Sequence, residues 1–227
     1  MEMNLRQALD EVRARIAETA GSAGRDPSEI ILVAVTKGVS AEVVAEALSA
    51  GQSHFGENRT AEAAGKFEAL GKAATWHFVG RLQRNKVKQI TPFISTIHSV
   101  DTAELAMEIS KRADRDVQVL LEVNTSGEDT KTGVAPKDLW TLIDGVAGLE
   151  RVKVRGLMTM APLVADEEQA RPCFGLLSSL LNEAKVRYPD LGIQHLSMGM
   201  SQDYRVAIEE GATMVRVGRA IFGPAMR

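Results

Sequence analysis

From Asn4 onward the apolar positions Leu5, Leu9, Val12 and Ile16 recur at spacings of four and three, which places them on one face of a helix ended by Gly21 and Gly24. The pattern then changes. Ile30 to Thr36, IILVAVT, is a continuous apolar run, too short for an ordinary helix and apolar on both faces, as a buried parallel strand requires. Comparable runs follow at Ser53–Gly56, Thr75–Val79, Phe93–His98, Val117–Val123, Val152–Met158, Ile193–Leu196 and Thr213–Val217. Polar stretches with helical spacing separate them. Several carry helix-start signals: Ser40 before AEVVAEAL, the box-like Asp101-Thr102-Ala103-Glu104, and Pro136 ahead of KDLWTLIDGV. Strand and helix alternate eight times behind an extra N-terminal helix. That order predicts an α/β fold, a single (β/α)8 TIM barrel, in preference to an open doubly wound sheet. No linker, low-complexity tract or repeat interrupts the alternation, and barrels of about 200–250 residues are ordinary, so 1–227 is read as one domain.

Composition narrows the function classes. With 27 Lys plus Arg, 30 Asp plus Glu and 44% apolar residues, the chain has the make-up of an ordinary globular protein of net charge −3. A slightly acidic chain without interleaved basic and aromatic residues predicts no nucleic acid partner. No apolar run approaches the roughly 20 residues of a membrane span, and the opening segment lacks the basic and apolar regions of a signal peptide. Cys173, the single cysteine, suits a reducing compartment, so a cytoplasmic location is expected. His54, His77, His98 and His195 lack metal-ligand spacing, and no metal is expected. Cys173 reads as a small helix residue, Met158, Met160, Met198, Met200 and Met214 as packing, and the basic run Arg81 to Lys88 as a solvated helical face.

In a barrel the chemistry gathers where strands end. Here those ends are Thr36-Lys37-Gly38, Gly56-Glu57-Asn58, Gly80, His98-Ser99, Asn124-Thr125-Ser126, Met158-Thr159-Met160, Ser197-Met198-Gly199-Met200-Ser201 and Arg216-Val217-Gly218-Arg219. Lys37 closes an apolar strand, where an amine either attacks a carbonyl as a Schiff-base nucleophile or reaches past the strand end to solvent. Gly199 and Gly218 follow the last two strands, where barrels commonly bind phosphate through backbone N–H groups, and Ser201 adds a hydroxyl; the alternative is two tight turns. Alternation puts Arg216 on the same face as Met214 and Gly218, inside the barrel, where a guanidinium needs either a ligand or a carboxylate from a neighbouring strand. An amine, an anion site and a cation suited to a pyridine nitrogen together suggest pyridoxal 5′-phosphate.

At these residues the chain resembles the pyridoxal 5′-phosphate homeostasis protein family, also called the proline synthetase co-transcribed family and related to the barrel domain of alanine racemase. The resemblance spans nearly the whole chain: ILVAVTKG (31–38), HFGENR (54–59), WHFVGRLQRNK (76–86), HSVD (98–101), EVNTSGEDTKTG (122–133), RGLMTMAP (155–162), SMGMSQDY (197–204) and VRVGRAIFG (215–223). It implies that Lys37 carries the cofactor as an aldimine and that Arg216 faces the pyridine nitrogen. It also implies that Ser201 and the backbone at Gly218 and Arg219 hold the phosphate, with Asn58 beside the cofactor. Two positions depart from the family pattern. Arg205 stands where an acid is usual, and Arg219 where a hydroxyl residue is usual, which leaves the backbone N–H as the phosphate donor there.

The implied function is vitamin B6 homeostasis as a carrier or reservoir, not an efficient enzyme, with pyridoxal phosphate-dependent apo-enzymes as recipients and a monomer as the working form. A small amino-acid racemase is the first alternative. It requires acid/base groups on both faces of the substrate, and Tyr204 is the nearest phenol to set opposite Lys37. A Schiff-base aldolase acting on a sugar phosphate is the second.

Overall fold

Asn4 starts the first helix by a reciprocal cap: its side chain accepts from Gln7 N at 2.9 Å while the Gln7 side chain accepts from Asn4 N at 3.2 Å. This helix, α1 (Leu5–Ser22), buries Leu5, Leu9, Val12 and Ile16 as their spacing predicts. The computed structural model describes residues 4–128, 130–162 and 166–223, so Asp129 of the EVNTSGEDTKTG stretch lies outside it.

The strands are β1 (Ile31–Val35), β2 (His54–Glu57), β3 (Thr75–Phe78), β4 (Thr96–Val100), β5 (Val117–Glu122), β6 (Val152–Met158), β7 (His195–Ser197) and β8 (Met214–Val217). Each pairs in parallel with its successor, and β8 closes on β1 with Val33 beside Arg216 and Ala34 beside Val217. The result is the expected closed eight-stranded barrel. Around it run α2 (Ala41–Ser49), α3 (Thr60–Leu70), α4 (Val87–Ile90), α5 (Ala103–Arg112), α6 (Leu139–Val146), α7 (Arg171–Arg187), α8 (Tyr204–Glu209) and the terminal turn α9 (Arg219–Phe222). Ser40 and Thr102 cap α2 and α5, and Pro136 opens a 3-10 turn ahead of α6. Cys173 lies buried on α7.

Most of the core lies between barrel and helices, where Phe55, Trp76, Phe78, Ile97 and Leu121 meet the buried helix faces. Inside the barrel the apolar cluster is small: Leu120, Met158 and Met214 with Ile31 against them. The rest of the interior is therefore free for polar groups.

Three expectations shift. The fourth strand covers Thr96–Val100 in place of Phe93–His98, because Phe93 N and Ile94 N donate to Ile90 O at 3.1 and 2.9 Å and continue the turn after α4. His98 and Ser99 thus lie within the strand and not past it. The seventh strand begins at His195, with Ile193 buried just before it. The run Arg81 to Lys88 is not one helical face: a 3-10 turn at Arg84–Lys86 leads into α4, with Leu82 and Val87 buried and Arg81, Arg84 and Lys88 exposed.

The β6–β7 seam depends on one missing side chain. A Cβ on Gly156 would lie 2.1 Å from His195 O, a main-chain atom of the paired strand. Gly156→Ala is therefore expected to destabilise the fold by about 3 kcal/mol, the upper part of the overpacking range, as read by urea denaturation. An unchanged midpoint would mean that the strands can part without loss.

Candidate functional site

A cavity of about 670 Å³ opens at the C-terminal mouth of the barrel, and Lys37, Asn58, Glu122, Ser201, Arg216 and Arg219 all line it. Gly218 borders it as well. Every site residue expected from the sequence therefore reaches one space.

Lys37 stands two residues past β1, after Thr36, and its side chain is exposed, so it extends into the mouth and is not desolvated at the strand end. The turn beneath it is held from behind. Thr36 N donates to Gly56 O at 2.9 Å, and Gly38 turns the chain at φ +70° with its N–H donating to Glu62 at 2.9 Å. Lys66 on α3 is buried, forms a close ion pair with buried Glu57, and donates to Thr36 O at 2.6 Å. This pair lies between barrel and helix, and sequence reasoning missed it.

Asn58 reaches the cavity because Gly80 lacks a side chain: a Cβ there would stand 2.6 Å from Asn58 O and Asn58 Cβ. Its Oδ1 is buried and has no hydrogen-bond partner among the described residues. A buried acceptor facing a cavity without a donor is a place where a ligand group can supply one.

Arg216 is buried inside the barrel, as its alternation with Met214 predicts. Its partners are not carboxylates. Nη1 donates to Ser197 O at 2.8 Å and Ser197 Oγ at 2.6 Å, and Nη2 donates to Thr159 O at 2.9 Å. The carboxylate salt bridge held open as the alternative is thus absent among the described residues. Burial pushes the guanidinium down to about 10, opposed at longer range by Glu122 and Asp203. Glu122 is buried, accepts from the Thr132 hydroxyl, and is raised above the usual carboxylate range by burial.

The loop after β7 is built around Gly199, at φ +89°, where a Cβ would stand 2.6 Å from Ala207 Cβ. Asp203, buried and raised by that burial, accepts from Met200 N at 2.6 Å and ties the loop down. Ser201 Oγ accepts from Ala220 N at 3.4 Å, which leaves its hydroxyl hydrogen free to donate. Gly218 lets β8 pass close to β1, since a Cβ there would lie 3.0 Å from Val35 O. Arg219 begins α9, whose first N–H groups have no partner within the helix, and its side chain is exposed at the mouth. Arg205 does not line this cavity but pairs with Glu167, which does. Tyr204 is buried and does not line this cavity; it borders a neighbouring hollow with Arg15.

The arrangement can take an anion of moderate size bearing a carbonyl group: an amine at the mouth, a fixed guanidinium at the floor, and hydroxyl and backbone donors along one wall. No group of three His, Cys, Asp or Glu side chains among the described residues is arranged to hold a metal ion.

The sequence profile of the family described as alanine racemase, N-terminal domain, matches residues 8–225. A protein of Aquifex aeolicus named pyridoxal phosphate homeostasis protein is 45% identical over 97% of this chain and 98% of its own length. The crystal structure of an unknown protein from Bifidobacterium adolescentis superposes with a TM-score of 0.91 at 34% identity, covering 96% of this chain and 94% of that one. The structure of PipY of Synechococcus elongatus PCC7942 with pyridoxal phosphate bound is similar with a TM-score of 0.81 at 36% identity, over 92% of this chain and 100% of that one.

Proposed function

The chain belongs to the pyridoxal phosphate homeostasis protein family, within the wider alanine racemase N-terminal domain family, and from that premise we propose that it binds pyridoxal 5′-phosphate in the barrel-mouth cavity and acts in vitamin B6 homeostasis as a carrier or reservoir. The observation that carries this reading is the meeting of Lys37, Asn58, Ser201, Arg216 and Arg219 around one cavity. When bound, pyridoxal 5′-phosphate supplies an aldehyde, a pyridine nitrogen and a phosphate. The donor set fits each of them. Lys37 offers the amine for the aldehyde. Arg216, donor only and charged at neutral pH, faces the pyridine nitrogen and disfavours its protonation. Ser201 and the backbone at Gly218 and Arg219 hold the phosphate, and Asn58 Oδ1 accepts from a donor on the ligand.

Several features favour carriage over turnover. Lys37 is exposed at the mouth, where a recipient can approach it. A cationic neighbour at the pyridine nitrogen weakens the ring as an electron sink, which counts against transamination and decarboxylation but not against racemisation. Racemisation requires a second acid/base group opposite Lys37, and Tyr204, the phenol closest in sequence to the Ser201 loop of the site, stands outside the cavity. Pyridoxal phosphate-dependent apo-enzymes are the recipients in this reading, and the protein works as a single-domain monomer in the cytoplasm. No helix among the described residues is long and apolar enough to cross a membrane.

The phosphate assignment has a direct test. Ser201→Ala is expected to weaken retention of pyridoxal 5′-phosphate by about 0.5–1.5 kcal/mol, or up to about 3 if the contact is charge-assisted. The loss should shrink for pyridoxal, which has no phosphate. Equal losses for the two forms, measured by equilibrium titration, would remove Ser201 from the anion site.

A further inference from the structure

His54, His77 and His98 stand on β2, β3 and β4, three adjacent strands, and their rings meet inside the barrel. His54 Nδ1 lies 3.0 Å from His77 Nε2, and His77 Nδ1 lies 2.9 Å from His98 Nε2. His98 Nδ1 lies 2.8 Å from Ser197 Oγ, the same oxygen that Arg216 Nη1 contacts at 2.6 Å. Four side chains thus run as an unbroken column from half-buried His54, at the N-terminal end of β2, to the guanidinium at the cavity floor.

The direction of every hydrogen bond in this column follows from one group. A guanidinium only donates, so Ser197 Oγ accepts from Arg216. Ser197 is fully buried, and the acceptor within reach of its hydroxyl hydrogen is His98 Nδ1. His98 therefore carries its proton on Nε2 and donates to His77 Nδ1; His77 likewise carries Nε2–H and donates to His54 Nδ1. All three rings are neutral and share one tautomer. Reversing any link would leave a buried hydrogen on Ser197 without an acceptor, a cost of about 1–3 kcal/mol.

Arg216 has five N–H donors. Three are fixed on Ser197 O, Ser197 Oγ and Thr159 O. The remaining two, on Nη2 and Nε, have no partner among the described residues and are left for a ligand. We propose that the histidine column acts through Ser197 as the positioning element for Arg216, keeping the serine lone pair on the guanidinium and so fixing the two free N–H groups presented to the ring of the bound cofactor. This rests on the reading that the cavity takes pyridoxal 5′-phosphate. His98 touches no ligand in this scheme. Its effect passes through Ser197, and His77 and His54 in turn hold the His98 tautomer.

The column itself can be tested without cofactor. In histidine-labelled free protein, nitrogen NMR should find His77 and His98 protonated on Nε2 with Nδ1 bare; a proton on His98 Nδ1 would overturn the ordering. The consequence is read with pyridoxal 5′-phosphate on three folded variants. His98→Leu removes the acceptor and should weaken binding about tenfold, the scale of one hydrogen bond to a charged group, and shift the absorbance band of the bound cofactor. His98→Asn places an amide oxygen close to the Nδ1 position and should restore both affinity and band. Ser197→Ala deletes one oxygen and should match His98→Leu, so the contact can be read even if His98→Leu does not fold. Unaltered affinity and band in Ser197→Ala overturn the inference, as does equal loss in His98→Leu and His98→Asn. If the wild type does not bind the cofactor, the functional reading fails instead. The positioning role is then decided by hydrogen exchange at Arg216 Nη1, expected slow in the wild type and fast in Ser197→Ala; slow exchange in both overturns it.

Discussion

Borohydride added in the presence of pyridoxal 5′-phosphate is expected to leave one pyridoxyl group, on the peptide that carries Lys37, and Lys37→Ala is expected to lose it entirely. The expectation rests on access. Lys37 is the lysine that lines the cavity, exposed at the end of β1. Lys66 also reaches the turn below Lys37, but its Nζ is buried, paired with Glu57 and bonded to Thr36 O at 2.6 Å, which holds it away from the cavity. The substitution should be structurally mild, because no hydrogen bond or ion pair of the Lys37 side chain is found among the described residues, and exposed changes of that kind stay within about 0.5 kcal/mol. Mass spectrometry of the reduced protein reads the adduct and a thermal melt reads the fold. A pyridoxyl group on another lysine of the wild type would show that the amine at the mouth is not the attachment point. Loss of the adduct with loss of the melting transition would show instead that Lys37 has a structural task.

The barrel was legible because its two periodicities are local properties. A parallel strand buried on both faces is a short apolar run, and a helix covering it is an amphipathic stretch, so alternation and closure follow from counting. Period two also placed Arg216 inside with Met214. What counting could not supply was its partners. They are carbonyl oxygens of Ser197 and Thr159 and one serine hydroxyl, and a main-chain carbonyl leaves no mark in a sequence.

The histidines illustrate the same limit differently. Their separations along the chain suggest no common site, yet each occupies an inward position on one of three consecutive strands. Had positions 54, 77 and 98 been compared by strand height and facing, the column would have been visible. The Asn58 site depends on Gly80 at the end of the neighbouring strand, and Thr36 is fixed by a Lys66–Glu57 pair that faces outward from the barrel. Both relations exist only once neighbouring elements are packed. Boundaries erred where an apolar residue served a turn, as Phe93 and Ile94 do after α4.

The same column makes stability fall with acid, and the expected loss is large. Burial pushes His77 down to about 3 from an ordinary value of 6.5, with the charges of His54 and His195 acting the same way, and holds His98 well below 6.5 too. His54 and His195, partly buried, are lowered in the same sense. The geometry supplies a second cause: a proton added to His77 Nδ1 would set it against the Nε2–H of His98 across 2.9 Å. In the unfolded chain these rings take up protons near pH 6.5, and in the folded chain they do not. Stability is therefore full above 6.5 and declines as pH falls from there toward 3. His77 alone contributes a loss of about 2–3 kcal/mol by pH 4.5. Glu122 and Asp203 act in the opposite direction, because burial raises their carboxyls and the folded protein binds their protons first. They therefore add stability as pH falls toward the carboxylate range and offset part of the decline there. Urea denaturation at pH 7.5, 5.5 and 4.5 should show the midpoint falling at each step, and His77→Gln, neutral throughout, should flatten the decline by about 2 kcal/mol or more over that range. Parallel pH profiles for the two proteins would mean that His77 takes up its proton in the folded state, and that the column does not keep its rings neutral.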